Sequence, residues 1–389
     1  MLRHRNFWPF FVGNVLSNCG TWFQNIAQTL LVYRLTGSLV LVGVVNFAHF
    51  VGVFVVAPFS GVAADVVDRR RLMLTTQLIS TVLAAILAAA SSADQVTTLL
   101  VIVVVLLLGV AQAFTVPSLL AFVPQLVPPS YLGPAVALNI ITFNLARAIG
   151  PVLGAFVVAH LGLTVAFAIN AGSFLALVLA LMVVRPRPVD TVRTTERPRL
   201  RDSLRTVRRA PRLAVLFLAG GAASITIDPI TTLSPAYATD VYGRADTVAG
   251  WLIGAFGAGA VVAAFVVASR GVASNRRLAG LLVLLGVGMT GFAAAPWLAA
   301  GMLALAVAGF AFIGCATSAL ARLQHTIADA EQGRMMALWS VAFMGTRPIA
   351  SLVDGFVASQ LNVQVATLVL VAPLLLAIAA LVVWSAASG

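Results

Sequence analysis

Five polar side chains near the start of the chain fall on one line. Asn14, Asn18, Thr21, Asn25 and Gln28 stand at offsets 0, +4, +7, +11 and +14 inside an otherwise apolar run. On a helix of about 3.6 residues per turn they share an arc of about 80°. Amides in hydrocarbon are costly, so this face must look at protein or water rather than lipid. It can line a cavity and exchange hydrogen bonds with a substrate. It can also glue helices together, at roughly 0.6 kcal/mol per bond. Five groups on one arc exceed what one helix contact needs, which favours the cavity. Asn46 and His49, about one turn apart in the next run, extend the candidate lining. A lone histidine there either titrates or is simply hydrogen-bonded. Trp22 and Trp339 suit a bulky hydrophobic ligand and ordinary packing equally well.

Asp228, Arg147, Arg347 and Asp354 also stand deep in apolar runs. Asp228 directly precedes Pro229, which removes a backbone donor and can kink the helix. A carboxyl at that point can take up and release a proton, so Asp228 is the first candidate for ion coupling. The alternative is a structural acid, paired to a cation or capping a broken helix. Each arginine is always charged and needs a partner or a water-filled cavity. Asp354 follows Arg347 on the same helical face but about 10 Å along the axis. An Arg347–Asp354 pairing is therefore either a switch between two states or a static ion pair. Arg147 and Arg347 can instead attract an anionic substrate.

These residues need a membrane-spanning scaffold. The chain is 61% hydrophobic and 9% charged, with a mean hydropathy of +1.03. Apolar runs of about 20 residues match the thickness of a bilayer core, and they are too long and too uniform for the strands of a barrel. The expected fold is an all-α polytopic membrane protein. Its twelve spans lie near 7–33, 38–62, 72–91, 96–123, 131–159, 162–184, 213–239, 245–268, 278–295, 297–321, 334–359 and 362–384. The first run is too long and too polar for a signal-peptide core, so it is read as a retained span. The net charge of +12 comes from arginine alone. With both termini inside, 20 of the 24 arginines fall on the cytoplasmic side, as the positive-inside rule requires. That rule, rather than nucleic-acid binding, accounts for the basic balance. Cys19 and Cys315 both sit in apolar runs and are assigned to packing.

The segment 185–212 is basic and broken by proline. It divides the chain into a six-span half at 1–184, a cytoplasmic linker, and a six-span half at 213–389. Within the linker, Leu200, Leu204 and Val207 recur at helical spacing among arginines. That fits a short helix lying on anionic lipid, with a solvated linker as the alternative. An offset of 200 residues aligns Gly133 with Gly333, Ala137 with Ala337, Arg147 with Arg347, Ile149 with Ile349 and Phe156 with Phe356. Span 5 thus corresponds to span 11. Two parallel repeats are the layout of a transporter with a central site.

Residues 61–71, GVAADVVDRRR, read as a short charged hairpin between spans 2 and 3. They resemble the corresponding loop of the major facilitator superfamily. Gly61, Asp65, Arg69 and Arg70 match its pattern, whereas Ala63, Val66 and Asp68 replace the usual Leu, Arg and Gly. The run Gly150-Pro151 followed by Gly154 is similar to the span-five pattern of that superfamily's exporters. Small residues there let helices approach closely. The stretches QAFTVPSLLAFVPQLVP and RNFWPFFVGNVLSNCGTWFQ resemble the enterobactin-exporter-like branch, the transmembrane secretion effectors. Gly109 stands where the drug–proton antiporters carry a fourth-span arginine. The resemblance implies a cytoplasmic gate in which Asp65 docks near Arg334.

No nucleotide-binding or metal-ligand spacing is present in the sequence. No enzyme activity and no cofactor are expected. The expected function is secondary active export of a hydrophobic or amphipathic small molecule, a drug, antibiotic or siderophore, by alternating access and proton coupling. The expected partners are that substrate, an ion gradient and the plasma-membrane bilayer, with the protein a monomer. A lipid translocator on the same fold and a non-transporting membrane sensor are the alternatives.

Overall fold

The computed structural model describes residues 6–187, 207, 210–268, 274–327 and 332–387. Most of the linker, including the expected surface helix, lies outside them. The described residues contain no strand.

In the first part of the chain the helices are α1 (Phe7–Thr36), α2 (Leu39–Val66), α3 (Arg69–Ser92), α4 (Thr98–Leu126) and α5 (Leu132–Val183). In the second part they are α6 (Pro211–Thr226), α7 (Asp228–Thr232), α8 (Ser234–Ala236), α9 (Ala249–Ala268), α10 (Asn275–Ala294), α11 (Leu298–Thr326), α12 (Gln332–Met344), α13 (Arg347–Gln360) and α14 (Val363–Ala387). Among the described residues ten helical stretches are long and apolar enough to cross a membrane. The polar stripe keeps α1 out of that set. The longest stretch, within α5, is interrupted at Gly162, where φ is 84°. Only glycine adopts that backbone without strain, so α5 is two rods. With α1 counted and α5 taken as two, the twelve expected spans are present.

Two spans differ from expectation. The seventh is not one kinked helix but a series of short pieces, α6, α7 and α8, ending in a π-turn at Tyr237–Val241. Pro229 and Pro235 each lack the amide that would continue the ladder. The eleventh breaks at Gly345 and Thr346, between α12 and α13, because Pro348 has no N–H to offer the preceding turn. Asp228 and Arg347 each occupy the first position of the helix that restarts.

The charged segment 61–71 is also not a hairpin. Helix α2 runs on through Val66, and α3 begins at Arg69. The Asp68 carboxylate accepts from the Arg71 backbone N–H at 2.8 Å and so caps α3. A tight cap removes the need for a longer loop. The Arg70 guanidinium donates to the Leu181 and Met182 carbonyls, both at 2.7 Å. These are the orphan carbonyls at the end of α5, and a cation there also complements the helix dipole.

The chain divides into two compact units. The first comprises Met1–Gly37, Val44–Thr194 and Ala249–Gly254; the second comprises Ser38–Gly43, Thr195–Val248 and Ala255–Gly389. In the first, α1 packs along α5, and Phe7, Phe10, Met73, Phe122, Leu126, Leu177 and Leu181 form a core beside the Arg70 cap. Each unit contains a helix crossing that requires glycine at equivalent positions of the repeat. A Cβ on Gly109 of α4 would run into the His49 carbonyl of α2, and one on Gly309 of α11 would run into the Phe256 carbonyl of α9. The two glycines are related by the same 200-residue offset as Arg147 and Arg347. Because the obstacle is backbone, the helices must separate to admit a side chain. Gly309→Val is expected to destabilise by about 1–3 kcal/mol or more. Thermal unfolding in detergent checks this, with Gly280→Val as the control, since nothing lies within 4 Å of a Cβ at Gly280.

Candidate functional site

The first unit contains a cavity of about 290 Å³. Its lining includes the whole α1 stripe: Asn14, Asn18, Thr21, Asn25 and Gln28. Ser17 and Gln24 of the same helix join them, with His49 from α2 and Gln77 and Ser80 from α3. Gln112 and Thr115 come from α4, and Asn139 and Asn170 from the two rods of α5. Leu108, Phe143, Phe174 and Leu177 supply apolar wall. Among the described residues this lining holds no carboxylate and no guanidinium.

The amides hold one another in place. Asn14 Nδ2 donates to Asn139 Oδ1 at 2.8 Å, and Asn18 Nδ2 donates to Asn14 Oδ1 at 2.9 Å. Ser17 Oγ donates to Gln77 Oε1 at 3.3 Å, and Asn170 Nδ2 donates to Gln24 Oε1. Thr21 spends its hydroxyl on the Ser17 carbonyl at 2.9 Å. Gln24 Nε2 is buried without a hydrogen-bond partner. The network fixes the orientation of the polar face.

Four expected lining residues stand elsewhere. Asn46 is buried but is not in the lining. Trp22 stacks edge-on against Phe143, with ring centroids 6.0 Å apart. The Arg147 guanidinium lies over the Trp22 ring, 5.3 Å from its centroid. Arg147 thus has an aromatic partner and stands behind the cavity wall. Trp339 belongs to the second unit. It is 8% exposed, stacks on Phe343 at 5.7 Å and presses against Gly220. The span-five motif packs on α1: Gly150 lies against Trp22 and Cys19, and Gly154 lies against Phe23 and Ile26.

The sequence stripe identified one wall of the cavity. Gln77, Gln112, Asn139 and Asn170 were missed because none of them belongs to a row of amides at helical spacing on its own helix. An isolated amide in an apolar run was the signal available.

The second unit holds the charges. Asp228 and Asp354 are both 0% exposed, and Arg347 is 9% exposed. Arg347 Nε lies 3.9 Å from Asp228 Oδ1, and Thr232 Oγ1 donates to Asp228 Oδ2 at 3.0 Å. Arg347 therefore pairs with Asp228 rather than with Asp354, as the spacing on α13 had suggested. Seven residues of helical rise separate the two α13 side chains, whereas α7 brings Asp228 alongside α13. Among the described residues neither buried Asp354 carboxyl oxygen has a hydrogen-bond partner. Asp228 is near enough to act on Asp354 by charge. Tyr237, whose hydroxyl lies 2.8 Å from Thr367 Oγ1, also feels Asp354.

Of the expected gate, Gly61 and Asp65 lie on α2, Arg69 and Arg70 begin α3, and Arg334 lies in the first turn of α12. The side chains of Asp65 and Arg334 are outside the described ones.

Comparison with known proteins agrees with this architecture. Residues 1–387 match the family model described as transmembrane secretion effector. The multidrug efflux pump Tap of Mycolicibacterium fortuitum is 26% identical over 245 residues. That match covers 60% of this chain and 59% of the pump. Among solved structures, a bacterial homologue of the human lysosomal transporter Spinster superposes with a TM-score of 0.78 at 10% identity, covering 97% of this chain and 96% of that one. The nucleoside transporter NupG gives 0.77 at 14% identity, covering 97% and 98%. A bacterial homologue of the iron transporter ferroportin gives 0.71 at 16%, covering 98% of both. At such identities the superpositions speak for the fold. Sequence match, helical architecture and superposition agree, and the chain belongs to the transmembrane secretion effector family of major facilitator superfamily transporters.

Proposed function

We propose that the chain is a secondary active exporter of an amphipathic small molecule, driven by proton antiport across the plasma membrane. In this reading the halves 1–184 and 213–389, joined by 185–212, alternate access to the substrate, and both termini are cytoplasmic. The observation that carries it is the coexistence of an amide-rich cavity without carboxylate or guanidinium among its described lining and a buried cluster of two carboxyls and one guanidinium. The cavity offers amides and hydroxyls to the polar part of a ligand, and Leu108, Phe143, Phe174 and Leu177 to its apolar part. The cluster supplies the coupling. With both acids ionised it would carry a net negative charge in a setting where unpaired charge is costly. One proton relieves that charge, so proton occupancy and conformation bias each other. Efflux by the related Tap pump supports the outward direction.

The test compares cells with and without the protein against a panel of amphipathic antibiotics and siderophores. Cells with the protein are expected to accumulate less of at least one compound, and an uncoupler is expected to abolish the difference. A difference that persists with the uncoupler removes proton antiport. No difference for any compound removes the exporter reading.

A further inference from the structure

We propose that Asp354, not Asp228, is the residue that carries the exchanged proton, and that Arg347 is the positioning group that keeps Asp228 ionised meanwhile. This rests on the proton-antiport reading above and assigns a role to each carboxyl within it.

The two acids are equally buried and differently served. Asp228 has the Arg347 guanidinium at 3.9 Å and the Thr232 hydroxyl at 3.0 Å. The nearby cation and the donated hydrogen bond to Oδ2 both favour a carboxylate, although Oδ1 itself makes no hydrogen bond. Asp354 has neither, since both of its oxygens are enclosed without a hydrogen-bond partner among the described residues. An ionised carboxyl cannot persist in such a place without a counter-charge. The groups that face Asp354 make matters worse for a second negative charge. Asp228 of α7 repels it, and the Tyr237 hydroxyl at the π-turn is turned to the Val363 carbonyl and the Thr367 hydroxyl rather than to Asp354. Arg347, on the same helix, is engaged at α7. With one guanidinium between two acids, a single proton on Asp354 makes the cluster neutral.

The backbone suggests how the proton leaves. Arg347 opens α13 directly after the break at Gly345 and Thr346. Asp228 opens α7 directly after α6 ends. Both members of the ion pair therefore stand where the ladder is interrupted and φ/ψ changes are least costly. Asp354 stands inside the regular part of α13. A shift of α13 relative to α7 would loosen the Arg347–Asp228 pair and free the guanidinium to approach Asp354, which could then release its proton to water. Asp228 is the fixed anion in this scheme, and Asp354 is the variable one.

Infrared difference spectroscopy of the purified full-length protein reads this without a known substrate. Wild type at neutral pH is expected to show the carbonyl stretch of a protonated, non-hydrogen-bonded carboxylic acid. Asp354→Asn should lose that band, and Asp228→Asn should not lose it at acidic pH. Asp354→Glu, which keeps an acid there, should move the band rather than remove it, and serves if the amide variant does not fold. A band lost in Asp228→Asn and retained in Asp354→Asn overturns the assignment, as does its absence from wild type. Uncoupler-insensitive transport with the Asp354 band in place would instead remove the antiport reading and leave the protonated Asp354 standing.

Discussion

Asp228→Asn is expected to stop gradient-driven transport and to destabilise the protein in a pH-dependent way. The substitution removes the carboxylate that Arg347 Nε faces at 3.9 Å. Arginine cannot shed its charge. Removing one partner of a buried pair typically costs about 3–5 kcal/mol, because an uncompensated charge remains. Asp354, in the same cluster, can reduce that penalty by giving up its proton. The sign follows: the loss is largest at acidic pH, where Asp354 stays neutral, and smaller at alkaline pH, where it can ionise. Thermal unfolding at both ends of the range checks this. The double variant Asp228→Asn/Arg347→Met should recover much of the stability, since no orphan charge is left, yet it should not recover coupling. An equal loss of stability in the single and double variants would show that Arg347 does not depend on Asp228.

Asn14→Leu is expected to raise the apparent KM for the transported compound about tenfold, equivalent to about 1.4 kcal/mol. Asn14 is the hub of the cavity network. Its amide nitrogen serves Asn139, and its amide oxygen serves Asn18. Leucine is similar in size but cannot do either. Asn139 Oδ1 then loses its donor, while Asn18 Nδ2 keeps only the backbone carbonyl of residue 14; a group left unsatisfied costs about 1–3 kcal/mol, and the Asn139 amide becomes free to turn away from the ligand. Part of that cost falls on folding and part on binding, so thermal unfolding must be measured beside transport. Unchanged KM with reduced stability would assign Asn14 to packing alone. Ser359→Ala, on an exposed residue that bonds its own helix, is the control and should change neither.

The α1 stripe shows what periodicity can deliver. Its five residues share a helix, so their common face follows from spacing, and the cavity contains all five. The opposite wall has no such signature. Gln77, Gln112, Asn139 and Asn170 come from four separate rods and meet only because those rods pack together. Arg347 makes the same point for charge. Its nearest acid in sequence on α13 is Asp354, yet its partner is Asp228 from another segment. Local rise along a helix separates the first pair, and tertiary packing joins the second. The breaks before Asp228 and Arg347 were written in the sequence as Asp-Pro and Arg-Pro, but only the first was read as a helix interruption.

The repeat adds an asymmetry. Asn139 corresponds by offset to Trp339, and Gly154 to Asp354. The first unit thus places an amide in its cavity where the second packs an indole, and the second buries a carboxyl where the first has only a glycine against α1.

The sequence by itself determined the class of molecule, the number of spans and the polar face of α1. These follow from bilayer thickness and helical period, which act on neighbouring residues. Only the tertiary structure decided which amides face that stripe, that Arg147 rests on Trp22, and that Arg347 pairs with Asp228 while Asp354 has no hydrogen-bond partner among the described residues. Those outcomes depend on which helices touch and at what height, which no period along a single helix encodes.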